Sequence, residues 1–181
     1  MADISLKRYG GPGPISTRTR NNTAMDNDSL SDSLPNSSLL SIRRLAVDDA
    51  EAAAELCSQL GYPSSPDDLR KRIEERARST DSVAFAAILE GQIAGWIDAF
   101  IEHHLQGSAS VVIGGLVVRD GVRGMGIGRR LCVEIEEWAR SKSIPLVRVR
   151  SQIKREDAHR FYLRDGYRMV KTSLVFEKTV L

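Results

Sequence analysis

Cysteine is scarce in this chain: there are two among 181 residues, Cys57 and Cys132, far apart and each inside a helix-like stretch. Such a pair supplies neither a metal-ligand spacing nor a disulfide framework, and both residues read as small apolar core groups of a protein from a reducing compartment. No apolar run approaches the roughly 20 residues that a membrane-spanning helix needs. The longest candidate, around Val111 to Val118, is broken by Gly114-Gly115 and has the length of a buried strand. The first residues hold no apolar segment of the kind a secretory signal requires. Lys7, Arg8, Arg18 and Arg20 have the flavour of a transit peptide, but Asp3 and the run from Gly10 to Pro14 oppose an amphipathic helix there, and Met25 is an alternative start. A cytoplasmic protein with no membrane partner is the expectation. An excess of one charge is missing too: the net charge is +2, with basic and acidic residues interleaved. That is too little to point to nucleic acid, and Arg148-Val149-Arg150 alone makes no recognised nucleic-acid module. No internal repeat is visible.

What is present divides into a tail and a domain. Residues 1 to 40 are rich in Ser, Asn, Asp, Gly and Pro without periodicity, and are expected to be a disordered tail. A single domain is expected over residues 41–181. It opens with a short strand from Ser41 to Leu45 and a helix from Asp49 to Leu60, with Asp48 as N-cap and Glu51 three residues on. Gly61 closes this helix. Ser65 caps the next, with Pro66 in its first turn and Leu69, Ile73 and Ala77 facing inward. Three strands follow over 82–89, 92–101 and 109–118, the first two joined through Glu90-Gly91. A long helix from Gly126 to Lys142 carries Ile127, Leu131, Ile135 and Trp138 on one stripe. A strand from Leu146 to Arg150, a helix from Glu156 to Arg164 and two closing strands, 167–171 and 172–178, complete the order β-α-α-β-β-β-α-β-α-β-β. This predicts an α+β fold, a mixed and mostly antiparallel sheet flanked by helices on both faces.

The informative passage runs from Leu116 to Leu131, where a glycine-rich turn joins an apolar strand to an amphipathic helix. Helix N-termini present unpaired N–H groups and partial positive charge, and glycines let an anion approach the backbone. Arg123 and Arg129 add donors suited to phosphate. A Walker loop would need Lys then Ser or Thr after the last glycine, and Gly128 is followed by Arg129-Arg130-Leu131. A dinucleotide fingerprint fails as well, because neither Gly124 nor Gly126 starts Gly-x-Gly-x-x-Gly.

Arg123, Gly126 and Gly128 resemble the coenzyme A signature of the GNAT acetyltransferases, (Arg/Gln)-x-x-Gly-x-(Gly/Ala). The segment from Ala158 through Phe161-Tyr162 to Gly166-Tyr167 is similar to the family's second landmark near the C-terminus. The resemblance covers residues 41–181 and not the tail. It implies an N-acetyltransferase that moves an acetyl group from acetyl-CoA, its co-substrate, to a primary amine of a small molecule or a protein. It further implies that Leu116, Val117 and Val118 bind the pantetheine arm through their main chain. Arg123, Gly124, Met125, Gly126, Ile127 and Gly128 would hold the pyrophosphate with help from Arg129, and Tyr162 would act as the acid at the leaving sulfur. No metal is implied, since the adjacent His103 and His104 lack further ligands. Relatives dimerise, so a homodimer is expected by analogy.

Two departures stand out. Relatives often carry a glutamate base on the strand before the turn, and that position here is Val112. The alternatives are Asp98, Glu102, His103 and His104 on the preceding strand, of which Glu102 and His103 join Tyr162 as the expected catalytic residues; adjacent residues on a strand face opposite ways, so only one of the two histidines can face the site. The residue seven before Tyr162 is Arg155 where several relatives have asparagine, and an arginine there could reach a phosphate. The competing reading is an acyl-CoA-binding sensor or regulatory module of the same fold, without turnover.

Overall fold

A computed structural model describes residues 40–180; residues 1–39 of the expected tail lie outside the described residues. The elements are β1 (Leu40–Arg44), a single helical turn (Val47–Asp49), α1 (Ala50–Leu60), α2 (Pro66–Arg78), β2 (Ser82–Leu89), β3 (Gln92–His104), β4 (Gly107–Val118), α3 (Ile127–Ser141), β5 (Val147–Val149) and α4 (Glu156–Arg164). The strands form one sheet in the order β1-β2-β3-β4-β5, antiparallel as far as β4, with β5 parallel to β4.

Local chemistry accounts for most boundaries. The Ser65 side chain accepts the Asp68 N–H at 3.1 Å, and Pro66 takes the first position of α2, where its missing N–H costs nothing. Gly61 ends α1 with φ 90°, while Tyr62 N–H returns to Cys57 C=O at 2.9 Å. Glu90 and Gly91 both adopt positive φ, 52° and 78°, which is the twist-matched two-residue reversal of a hairpin. The start of α1 differs from expectation. The extra turn over Val47–Asp49 moves the N-cap of α1 from Asp48 to Asp49, whose side chain makes no cap bond to α1 and instead accepts the Ala46 N–H at the start of that turn, at 2.8 Å. Asp49 also grips Arg43 with both oxygens, at 2.6 and 2.8 Å.

The sheet separates two cores. On one face, Ile127, Leu131, Ile135 and Trp138 of α3 pack on Val83, Ile97, Val111 and Ile113. On the other, α1 and α2 pack through Ala50, Ala53, Leu56, Leu69 and Ile73 against Trp96 and Val117. The alanines let α1 lie close enough for the Trp96 indole N–H to reach Ala53 C=O at 3.4 Å. Each large side chain buried here stabilises the fold by about 1.5–3 kcal/mol. Cys57 and Cys132 are buried, and burial pushes both thiols up, Cys132 to about 12. Among the described residues no helix is long and apolar enough to cross a membrane.

The two closing strands expected over 167–178 do not form. Residues 167–180 carry no regular structure, and from Arg168 onward they are exposed. A strand exists only where a neighbouring backbone completes its hydrogen bonds, and this segment has no such neighbour within the described residues.

Candidate active site

The strand β4 outlasts its parallel neighbour. Val111, Val112 and Ile113 pair with Val147, Arg148 and Val149, after which Gly114 to Val118 keep only their β3 partners. Among the described residues the outer edge of this stretch is therefore open. A bulge sits at the parting point, since Asp98 pairs with Gly115 and Ala99 with Ile113, leaving Gly114 over. Glycine is required at both positions. A Cβ on Gly114 would lie 2.7 Å from Asp98 Oδ2, and one on Gly115 would lie 2.9 Å from the Trp96 ring.

Beyond Val118 the chain turns into α3. Gly126 caps the helix with φ 76°, and Gly124 has φ 85°. The first helical bond is Arg130 N–H to Gly126 C=O at 3.1 Å, so the amides before it are not used by the helix. No acidic residue occupies the first turn, and nothing lies within 4 Å of a Cβ built on Gly124 or Gly126. Arg123 is held by Val118 C=O, at 3.1 Å, and by Asp120, at 2.7 Å; Arg129 stays largely exposed, with Asp165 at 3.4 Å. The residues expected to bind cofactor, Leu116 to Val118 and Arg123 to Arg129, thus form one continuous strand, turn and helix start. Two of them also serve packing: Ile127 is buried, and a Cβ on Gly128 would meet the Phe161 ring at 3.3 Å. Unshared amides, open space over two glycines, flanking arginines and a free strand edge fit a long ligand with phosphates at one end and amides along its arm.

The residues expected to catalyse lie on either side of the sheet. Tyr162 of α4 packs against the core on the α3 side, its ring edge-on to Phe161 and Tyr167 with centroids 5.0 and 5.4 Å away. Burial pushes its hydroxyl far above the ordinary phenol range. Trp96, Asp98, Phe100 and Glu102 alternate onto the α1–α2 side, where Val112 lies directly across the ladder from Phe100 and Arg148 of β5 lies beyond Val112. Glu102 is held by Arg150 at 2.5 Å and His104 at 3.0 Å, and the Arg150 guanidinium keeps its carboxyl below the usual range. His103 points to the opposite face, exposed, with Asp81 at 3.9 Å. Asp98 is nearly buried, bound by Arg76 at 2.6 Å and by the Gly115 N–H; burial nevertheless pushes its carboxyl above the ordinary value. The strand β4 parts from β5 just beside Asp98, which pairs with Gly115 at the bulge.

Sequence reasoning missed Arg76, because a pairing between α2 and β3 has no local signal. It also offered Arg155 to a phosphate. The structure ties Arg155 instead to the end of α1, through Leu60 C=O at 2.7 Å and the Tyr62 ring, with its guanidinium 5.8 Å from the centroid.

The fold and this strand–turn–helix define a class, and comparison with known proteins agrees. Residues 42–167 match the model of the acetyltransferase (GNAT) family, and the chain belongs to that family. Among curated proteins it is 40% identical over 83 residues to the aminoalkylphosphonate N-acetyltransferase of Salmonella typhimurium, a match covering 45% of this chain and 54% of that protein. The chain thus aligns with only about half of that relative. It is 25% identical over 140 residues to the aminoglycoside N(6')-acetyltransferase type 1 of Stenotrophomonas maltophilia, covering 75% of this chain and 90% of the relative. Among solved structures, the aminoglycoside N-acetyltransferase AAC(6')-Iy in complex with CoA superposes with a TM-score of 0.71 at 20% identity, covering 80% of this chain and 97% of that one. A transcriptional regulator from Bacillus halodurans superposes with a TM-score of 0.69 at 21% identity, covering 77% and 99%. At that identity the likeness is one of fold.

Proposed function

We propose that the protein is an acetyl-CoA-dependent N-acetyltransferase acting on a primary amine of a small molecule. The observation that carries this reading is the open edge of Gly114 to Val118 running into the anion-binding turn at Gly124 to Gly128, in a chain of the GNAT family. The turn amides with Arg123 and Arg129 bind the pyrophosphate, and the main chain of Leu116 to Val118 binds the pantetheine arm. When bound, acetyl-CoA supplies an activated acetyl thioester. Asp98 takes the proton from the acceptor's ammonium group. Its burial raises its affinity for a proton, which suits a base to an amine better than an ordinary carboxylate would. Glu102 stays ionised between Arg150 and His104 and holds the acceptor's positive charge. Tyr162 keeps its proton at neutral pH, as an acid at the departing sulfur must. His103, on the opposite face, is assigned no step.

One observation favours a second reading, a sensor without turnover: the usual base position is Val112, buried between Phe100 and Arg148. Two measurements separate the readings. Acetyl-CoA is expected to raise the melting temperature of the native chain and not of Gly126→Glu; no shift at millimolar ligand rejects both readings. A panel of amines that includes aminoalkylphosphonates and aminoglycosides, the acceptors in the relatives' names, is then followed by coenzyme A release. Turnover with a panel member supports the enzyme, and binding without release supports the sensor.

A further inference from the structure

The sheet face that carries Asp98 and Glu102 holds more positive charge than these carboxylates balance. The strand β5 packs Val147 and Val149 on the core and turns Arg148 to the other face, across the ladder from Val112. Arg150 follows on the same face and binds Glu102 at 2.5 Å. With Arg76 of α2, three guanidiniums thus meet two carboxylates. Both carboxylates are already engaged, Asp98 by Arg76 at 2.6 Å and Glu102 by Arg150 and by His104 at 3.0 Å. Arg148 is left over. Its Nη1 donates to the Ser110 hydroxyl at 3.3 Å, and among the described residues no carboxylate lies within ion-pair reach of it. Val112, its neighbour on β4, is apolar and buried and offers no charge.

The surroundings of Arg148 suit an anion. Ser110 is fully buried, so its hydroxyl steadies one edge of the guanidinium while the rest of the side chain stays exposed. The remaining N–H groups keep the planar fork that matches a carboxylate or a phosphonate. Glu102 pairs with Ser110 across the ladder, so Arg148, held at Ser110, and Arg150, held at Glu102, stand over neighbouring positions. The distance to Asp98 then sets the size of the ligand. The Asp98 carboxyl lies over the bulge, with Oδ2 2.7 Å from a Cβ built on Gly114. From Gly114 back to Ser110 the strand covers roughly 13 Å. Polar contacts at the two ends take about 3 Å each, which leaves about 7 Å between the groups they hold.

We propose that the acceptor is a small monoamine bearing one anionic group, a carboxylate, phosphonate or phosphate, within about 7 Å of its nitrogen, and that Arg148 selects it. The amine reaches Asp98 while Arg148, with Arg150 beside it, holds the anion. A polycationic amine meets the reverse: Arg148 repels it, and the two carboxylates it could use already hold guanidiniums. The inference rests on the proposed acetyl transfer for the side on which the amine arrives, and adds to it the charge that the acceptor must carry.

The test is coenzyme A release by the full chain with amines of matched length: 3-aminopropylphosphonate, 4-aminobutyrate, 4-aminobutan-1-ol and 1,4-diaminobutane. Expected is a kcat/KM for the two anionic amines about 10–100-fold above that for the alcohol, with the diamine lowest. Arg148→Gln should close this gap, raising KM more than it lowers kcat, and Arg148→Lys should restore part of it. Equal use of the alcohol and the anions, or a preference for the diamine, overturns the inference while the acetyl transfer stands. So does a loss in Arg148→Gln that is the same for every amine, which marks a structural role. If no amine releases coenzyme A, calorimetry with 3-aminopropylphosphonate on the chain saturated with coenzyme A decides. Binding that Arg148→Gln abolishes supports the anion site, and the failure is then that of the acetyl transfer. No binding, or binding indifferent to the substitution, overturns the inference. Should Arg148→Gln lose its circular dichroism, the ranking of the amines on the native chain decides alone.

Discussion

At Asp98 the energetic conflict is visible in three contacts: burial favours the neutral acid, while Arg76 and the Gly115 N–H favour the carboxylate. Burial prevails, so the acid limb of the pH–rate profile is expected to have its inflection above the ordinary carboxyl value of 3.8. Asp98→Asn should remove that inflection and lower kcat by about 10²–10⁴-fold, with acetyl-CoA binding retained. Unchanged kcat would return the proton path to Glu102. Tyr162→Phe is the companion case: a smaller loss, at the leaving group, with the fold intact, measured by coenzyme A release against several thioesters. Asp49 shows the opposite sign. Arg43 holds its carboxyl below 3.8, so its contribution to stability is present above that value and lost as pH falls through the lower, folded-state pKa. Asp49→Asn should cost about 1–3 kcal/mol at neutral pH, and urea titrations should show the gap to the native chain closing in acid.

Among the elements, those with local signals were legible from sequence alone. Glu90-Gly91 required a tight reversal, Ser65-Pro66 announced α2, and the stripe Ile127, Leu131, Ile135 and Trp138 gave α3 its inner face. The turn from Arg123 to Gly128 stood out as an anion-binding candidate because glycines, arginines and a following helix all lie within one short stretch. The cap at Asp49 was misplaced by one residue, since the choice between two adjacent aspartates depends on Arg43 approaching from β1. The Asp98–Arg76 pair was illegible for the same reason at longer range. Gly128 sharpens the distinction between binding and packing. A side chain there would meet Phe161, so Gly128→Leu is expected to push α4 outward and lower the melting temperature even without ligand. Gly126→Glu, in open space, should lose ligand binding; its positive φ adds about 1 kcal/mol of backbone strain. Differential scanning with and without acetyl-CoA distinguishes the two variants.

For the molecule as a whole, the sheet has two unlike edges among the described residues: the five-residue β1 at one side, and at the other the three-residue β5 beside half-buried aromatics. The two strands expected over 167–178 are absent, because alternation in a sequence does not say whether a backbone lies alongside to complete their hydrogen bonds.

The burial of both cysteines has a practical chemical consequence. With Cys57 and Cys132 enclosed and their thiols pushed up by burial, the native protein should be almost silent toward chromogenic disulfide reagents. The denatured chain should titrate both thiols of its sequence. Coenzyme A set free during turnover would then be the one reactive sulfur in solution, and the colour that develops would count acetyl transfers directly against a dark background.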